Sequence, residues 1–92
     1  MPDALKSRLK QMIVNTLRLD DLDPQSIPDD ESLFDSKLFG LDSIDALEMV
    51  VAIEREFQVK MASSEESREA MSSITHLAEF IRKRAPAEKL PS

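Results

Sequence analysis

Ser43 is the residue of this 92-residue chain that is best placed for covalent chemistry. It lies in the run Gly-Leu-Asp-Ser-Ile-Asp at residues 40–45, where Gly40 permits a turn and a helix is predicted to begin. Either Asp42 or Ser43 could cap that helix, so capping alone would account for both. A phosphodiester on Ser43 would also lie at the positive end of the helix dipole, near free backbone N–H groups.

The helix that follows, from Asp42 or Ser43 to about Phe57, has two apolar faces. At 100° per residue, one face has the spacing of a core: Ala46, Met49, Val50, Ile53 and Phe57. A second stripe lies nearly opposite and is edged by acidic side chains. We predict that this stripe docks partner proteins through Asp42, Ile44, Asp45, Leu47, Glu48 and Val51. Single exposed apolar residues are common, so an ordinary surface is the alternative interpretation.

Acidic residues are concentrated in the middle of the chain, whose net charge is −6. Residues 20–57 contain twelve acids against two bases, Lys37 and Arg55, a local balance of −10. This region would repel phosphate groups, so nucleic acid is not an expected partner. It is either a solvated surface or a docking surface for basic proteins.

A serine hydrolase is one competing interpretation of Ser43. Its nucleophile would need a base, and the only histidine, His76, is predicted to lie on the exposed side of the last helix. The G-x-S-x-G elbow is also absent, because Leu41 and Asp45 stand where glycines are required. We therefore expect a protein that is not an enzyme.

A calcium loop is the second competing interpretation. Asp21 and Asp23 begin an EF-hand-like pattern, but Ser26 and Ser32 occupy the positions of the glycine and the bidentate acid. The chain has no Cys and a single His, which also excludes thiolate zinc sites and the common zinc hydrolase constellations. No metal site is predicted.

Helical periodicity predicts the elements that position these residues, and a single Gly argues against a hairpin-rich β-protein. The predicted fold is all-α, a four-helix bundle with three longer helices, one short helix and a long loop between the first two. The predicted helices span about residues 3–19, 42–57, 65–71 and 73–84. Apolar loop residues are expected to hold the loop on the core: Leu22, Ile27, Leu33, Phe34, Leu38 and Phe39.

One domain over residues 1–84 is expected, followed by a flexible tail over residues 85–92 that contains two prolines. The longest stretch without a charge, residues 70–78, is far shorter than the roughly 20 residues that cross a bilayer. No secretory signal is visible, because no apolar run follows the first basic residues. We expect a soluble cytoplasmic protein without membrane insertion.

The residues around Ser43 resemble the acyl carrier protein motif, usually written G-x-D-S-[LI]. The similarity continues through Ala-Leu-Glu-Met-Val at 46–50 and Glu-Arg-Glu-Phe at 54–57 to the last helix at 73–81, in the family's order. It covers about residues 3–84. Arg55 and Gln58 depart from the pattern, since the family often has an acid and commonly a glycine there. Residues 33–39 are more similar to carriers of specialised lipid or polyketide-like pathways than to the general fatty-acid carrier.

The resemblance implies that Ser43 carries 4′-phosphopantetheine, donated by coenzyme A and attached by a holo-carrier-protein synthase. The protein would then hold acyl groups as thioesters on this arm. It would present them, as a monomer, to the acyl-transferring and chain-elongating synthases of fatty-acid, lipid or polyketide-type pathways. Candidate walls for sheltering the acyl chain are Val50, Phe57, Met61 and Ile74, although ordinary core packing accounts for the same apolar residues.

Two further interpretations share this surface. An unmodified acidic adaptor would show the same apolar stripe and the same charges, and only the fate of Ser43 separates it from a carrier. A peptidyl or aryl carrier is a closer variant, but such carriers are usually less acidic and are embedded in larger chains.

Overall fold

The computed structural model describes residues 4–34, 40, 42–61 and 64–90, and these contain helices but no strands. The four α-helices are α1 (Ala4–Thr16), α2 (Ser43–Phe57), α3 (Ser64–Ala70) and α4 (Ile74–Arg84). Single 3₁₀ turns lie at Pro24–Ser26 and Ala87–Lys89. The predicted all-α architecture, with one short helix and a long loop after the first, is confirmed.

The first helix ends earlier than predicted. The expectation of a helix to residue 19 was wrong, because α1 stops at Thr16 and Arg18 takes a left-handed backbone conformation, with φ 57°. The N–H group of Leu19 then donates to the carbonyl oxygen of Val14 at 2.9 Å. This bond closes the helix as a Schellman-type end, although glycine usually occupies the left-handed position.

The core lies between α1 and the other helices, since α1 contacts α2, α4 and the turn at Pro24–Ser26. Side chains from all four α-helices contribute to it, although α3 contributes only Ala70 at its C-terminal end. The buried apolar residues are Leu5, Leu9, Ile13, Val14, Ile27, Leu33, Met49, Ile53, Phe57, Val59, Ala70, Met71, Ile74, Leu77, Ala78 and Ile81. On α1 the apolar side chains at helical spacing, Leu5, Leu9 and Ile13, are buried together with Val14, whereas Met12 and Thr16 are half-buried at the edge of the core.

The last helix begins as the sequence predicts. Ser73 caps α4, and its hydroxyl oxygen accepts the backbone N–H of His76 at 3.1 Å. His76 itself is exposed, as expected, and its Nδ1 lies 2.7 Å from Ser73 Oγ. The histidine therefore belongs to the cap of α4.

The long loop after α1 is held on the core by apolar side chains. Ile27 and Leu33 are buried, while Leu22 and Phe34 are half-buried. This confirms the predicted role of these four residues, whereas Leu38 and Phe39 lie outside the described residues.

Polar contacts converge on Asp29 in the same loop. The carboxylate lies 2.6 Å from Lys10 Nζ and 3.6 Å from Lys6 Nζ, both on α1. The backbone carbonyl of Asp29 accepts the N–H group of Thr75 on α4 at 3.0 Å. The Thr75 hydroxyl, which has a single proton to donate, lies 2.7 Å from the carboxylate of Asp30 and 3.2 Å from the carbonyl oxygen of Asp29. Asp29 therefore joins the loop to two helices that are distant in sequence.

The segment after α4 contains more structure than the sequence indicates. Leu90 is half-buried and packs against the core, following the 3₁₀ turn at Ala87–Lys89. The domain boundary after residue 84 and the flexibility of residues 85–92 remain predictions.

We expect Asp29→Asn to weaken the fold near neutral pH and to reduce its sensitivity to acid. The hydrogen bond from Lys10 is the main reason that the pKa of Asp29 lies below its ordinary value of about 4, and the charges of Lys10 and Lys6 act in the same direction, partly offset by burial. A lowered pKa in the folded state adds stability above the unfolded pKa, which is lost as the pH falls through the folded value.

Denaturant unfolding of both proteins between pH 7 and pH 2.5 measures this effect. The difference between wild type and Asp29→Asn should shrink as the pH falls below about 4. Asp20→Asn, which removes an exposed acid from the same loop, is the control. Its free energy of unfolding should depend on pH in the same way as that of wild type. A difference between wild type and Asp29→Asn that does not change with pH would contradict the assignment.

Candidate functional site

The N-terminus of α2 is closed by two carboxylates. Asp42 Oδ1 accepts the backbone N–H of Asp45 at 2.8 Å, and Asp45 Oδ2 lies 3.5 Å from the N–H group of Asp42. Together these contacts form a capping box in which Asp42 is the N-cap. The sequence left the cap open between Asp42 and Ser43, and the structure assigns it to Asp42.

Ser43 is therefore not the residue that caps the helix. It is the first residue of α2, and it is exposed. Before it, Gly40 has a left-handed backbone with φ 57°, a conformation that glycine adopts without steric cost. With Asp42 as the cap, the serine side chain is exposed at the surface, where another protein can reach it.

The residues around Ser43 fit a phosphodiester in two respects. The exposed hydroxyl leaves room for a bulky group, and the positive end of the α2 dipole favours an anion. The carboxylates of Asp42 and Asp45 oppose the anion, and the Asp45 N–H is already used by the cap. A phosphodiester on Ser43 would therefore fit only if it were directed outward into solvent.

The second apolar stripe of α2 is exposed. The exposed fractions are 68% for Ile44, 64% for Leu47 and 40% for Val51. On the opposite face Met49, Ile53 and Phe57 are buried, which confirms the rotational assignment of the helix. Ala46 and Val50, predicted on the core face, are half-buried at its edge.

Acidic side chains edge this stripe near Ser43. Asp42 and Glu48 are exposed and Asp45 is half-buried. The structure thus brings all six predicted docking residues to one surface beside the serine: Asp42, Ile44, Asp45, Leu47, Glu48 and Val51.

The four candidate residues of the acyl pocket are divided between the core and its edge. Phe57 and Ile74 are buried, whereas Val50 and Met61 are half-buried. None of the four lines the groove of about 530 Å³ between α3 and α4, which is mostly polar and includes Glu65, Glu69, His76 and Lys83. An acyl chain among these residues would have to displace packed side chains.

The C-terminal end of α2 contains contacts that the sequence did not predict. Gln58 has a left-handed backbone, with φ 56° and ψ 44°. Glu54 Oε2 accepts the backbone N–H of Met61 at 3.3 Å, and Glu56 forms an ion pair with Arg8 on α1. Helical periodicity does not predict these contacts, because they depend on the path of the chain after α2 and on the packing of α1 against α2.

The competing kinds of site gain no support from the described residues. His76 contacts Ser73 on its own helix, and no group of three His, Asp or Glu side chains in the described ranges is arranged to hold a metal ion. Among those residues, no helix is both long and apolar enough to cross a membrane.

Comparison with known proteins identifies relatives over most of the chain. Residues 7–81 match the family described as phosphopantetheine attachment site. The acyl carrier protein of Buchnera aphidicola subsp. Acyrthosiphon pisum (strain Tuc7) is 30% identical over 80 residues, which are 87% of this chain and 91% of that protein. The acyl carrier proteins of Bdellovibrio bacteriovorus and Phenylobacterium zucineum are each 29% identical, over 91% and 95% of this chain and 99% and 100% of theirs.

The capping geometry predicts different effects for two neighbouring substitutions. Asp42→Ala should lower the free energy of unfolding by about 0.5–2 kcal/mol, because it removes the N-cap. Ser43→Ala should change it by less than about 0.5 kcal/mol, because an exposed serine that is not the cap is replaced by a better helix former.

Urea unfolding of both variants beside wild type measures the two losses. Thermal scans followed by circular dichroism provide the control that both variants remain folded. A larger loss for Ser43→Ala than for Asp42→Ala would mean that the serine is the cap.

Proposed function

Because the chain belongs to the phosphopantetheine-attachment family of acyl carrier proteins, we propose that Ser43 is the residue to which its 4′-phosphopantetheine arm is attached. Members of this family are carriers and not catalysts, and the arm is covalently bound. The observation that supports Ser43 is its position: an exposed hydroxyl at the first residue of α2, with the helix cap provided by Asp42 instead.

The attachment step requires only a hydroxyl from this chain. Ser43 Oγ forms a bond to the phosphorus that bears pantetheine, while the pyrophosphate bond of coenzyme A breaks and the adenosine-bearing half leaves. The hydroxyl proton passes to a base of the holo-carrier-protein synthase. The only histidine of the chain, His76, is engaged with Ser73, so the base is assigned to the synthase.

The attached arm supplies the thiol on which an acyl group is held as a thioester, since the chain itself has no Cys. The contribution of the protein is tethering, which raises the effective concentration of the acyl group at each enzyme it meets. Val50, Phe57, Met61 and Ile74 are the proposed walls if the acyl chain is sheltered, and sheltering would then require the core edge to open.

The proposed partners are the holo-carrier-protein synthase and the acyl-transferring and chain-elongating synthases of a fatty-acid, lipid or polyketide-type pathway. We propose that they dock on the α2 surface beside Ser43. The support is that Ile44, Leu47 and Val51 are exposed apolar residues. The core does not require them, because the opposite face of α2 is the one that packs against it. A monomeric carrier in the cytoplasm is consistent with this role and remains a prediction.

Intact mass spectrometry tests the attachment residue. After incubation with coenzyme A and a holo-carrier-protein synthase, the wild-type protein should gain the mass of one phosphopantetheine group. Ser43→Ala should gain none, because the accepting hydroxyl is gone. The control is Ser26→Ala, which removes another exposed hydroxyl and should be modified fully.

Two results would overturn the assignment. A mass gain on Ser43→Ala would place the arm on another residue. A wild-type protein left unmodified by a synthase that loads a reference carrier would favour the unmodified adaptor.

The docking proposal predicts a dependence on salt and on Glu48. Basic partners are steered by acidic surfaces, and a Debye length of about 10 Å at 0.1 M salt weakens this steering. The rate of modification should therefore fall as salt rises. Glu48→Lys should lower the rate at low salt and flatten its salt dependence, with helix content unchanged because Glu48 is exposed.

Rates measured at salt concentrations from about 0.02 M to about 0.5 M, a range over which the Debye length changes several-fold, provide the comparison. Glu79→Lys makes the same charge change on α4, away from the docking surface, and is the control. Rates that do not vary with salt and are equal for wild type and Glu48→Lys would show that the acidity only solvates the protein.

A further inference from the structure

The exposed surface of α2 has opposite charges at its two ends. Ile44, Glu48, Val51 and Arg55 follow one another at intervals of four, three and four residues, so they lie on one face of the helix. All four are exposed. The acidic end of this face lies beside Ser43, and its other end carries the guanidinium group of Arg55.

The acids on either side of Arg55 are already engaged by other parts of the fold. Glu56 pairs with Arg8 of α1, and Glu54 accepts the backbone N–H of Met61. Within the described part of the chain no ion pair involves Arg55 itself. Arg55 is exposed, so its guanidinium group is available for contact with an approaching protein.

The two charges are far enough apart to be recognised separately. Glu48 and Arg55 are seven residues apart, which is about 10 Å along the helix at a rise of 1.5 Å per residue. This separation is close to the Debye length at about 0.1 M salt, so screening weakens the interaction between the two exposed charges, and a partner can contact each with a different side chain. Val51 lies between them and supplies apolar contact.

We propose that the enzyme which loads Ser43 meets this surface with two charges: basic side chains opposite Glu48, and an acidic side chain opposite Arg55. This inference rests on the proposed function. A uniformly basic partner would place like charges at Arg55, and like charges across an interface cost affinity and select against the partner that carries them. Arg55 thus determines which synthases accept this carrier.

Charge reversal at Arg55 tests the proposal, because the two kinds of partner predict changes of opposite sign. The measurement is kcat/KM for transfer from coenzyme A by the holo-carrier-protein synthase encoded in the same genome. Arg55→Glu should lower kcat/KM about tenfold, since attraction is replaced by repulsion. The control, Lys83→Glu, makes the same change in net charge on α4 and should stay within about twofold of wild type, because rim and remote charges act only through the general field.

A value for Arg55→Glu that equals or exceeds that of wild type would overturn the proposal and indicate a uniformly basic partner. If Arg55→Glu loses helix content, Arg55→Gln decides: a decrease of about two- to threefold supports the acidic contact, and an unchanged or higher value overturns it. Failure of the proposed function would look different, because the wild-type protein or the control would then gain no phosphopantetheine at all.

Discussion

The burial of one face of α2 is the constraint on which the rest of the structure depends. Met49, Ile53 and Phe57 are spaced so that they enter the core together, and α1 packs against the helix that carries them. This fixes the rotation of α2 about its axis. The same rotation turns Ile44, Leu47 and Val51 outward, so the packing of the core also determines which apolar side chains are exposed.

The loop after α1 and the start of α2 are each fixed by specific contacts. Ile27 and Leu33 hold the loop on the core, and Asp29 ties it to α1 and α4 through Lys10 and Thr75. Gly40 has a left-handed backbone, and Asp42 caps α2 directly before the serine. A serine one residue past the cap is exposed without weakening the helix that presents it.

Acidic residues serve different purposes in different parts of the chain. Asp42 and Asp45 satisfy backbone N–H groups at the start of α2, and Asp29 and Glu56 pair with lysine and arginine side chains of α1. Glu48 is exposed and makes no such structural contact among the described residues, so its charge is available to the partners proposed above. The charge that a partner meets on α2 is therefore smaller and more localised than the local balance of −10 suggests.

The sequence by itself determined the helices, the two faces of α2 and the motif around Ser43, because periodicity and short-range motifs depend on neighbours within a few residues. Tertiary structure decided the end of α1 at Thr16 and the left-handed conformations of Arg18 and Gln58, since neither of these two residues is the glycine that usually indicates such a conformation. It also decided the contacts of Asp29 with Lys10 and Thr75, which join residues far apart in the chain.

Tertiary structure also decided which of the charges at residues 54–56 are engaged within the fold. The sequence shows Glu-Arg-Glu at 54–56, in which the single base appears outnumbered. Only the approach of Arg8 and of the Met61 backbone engages the two acids and leaves the arginine to face solvent. Local sequence determines which side chains a helix presents, but packing between distant segments determines which of their charges remain available to a partner.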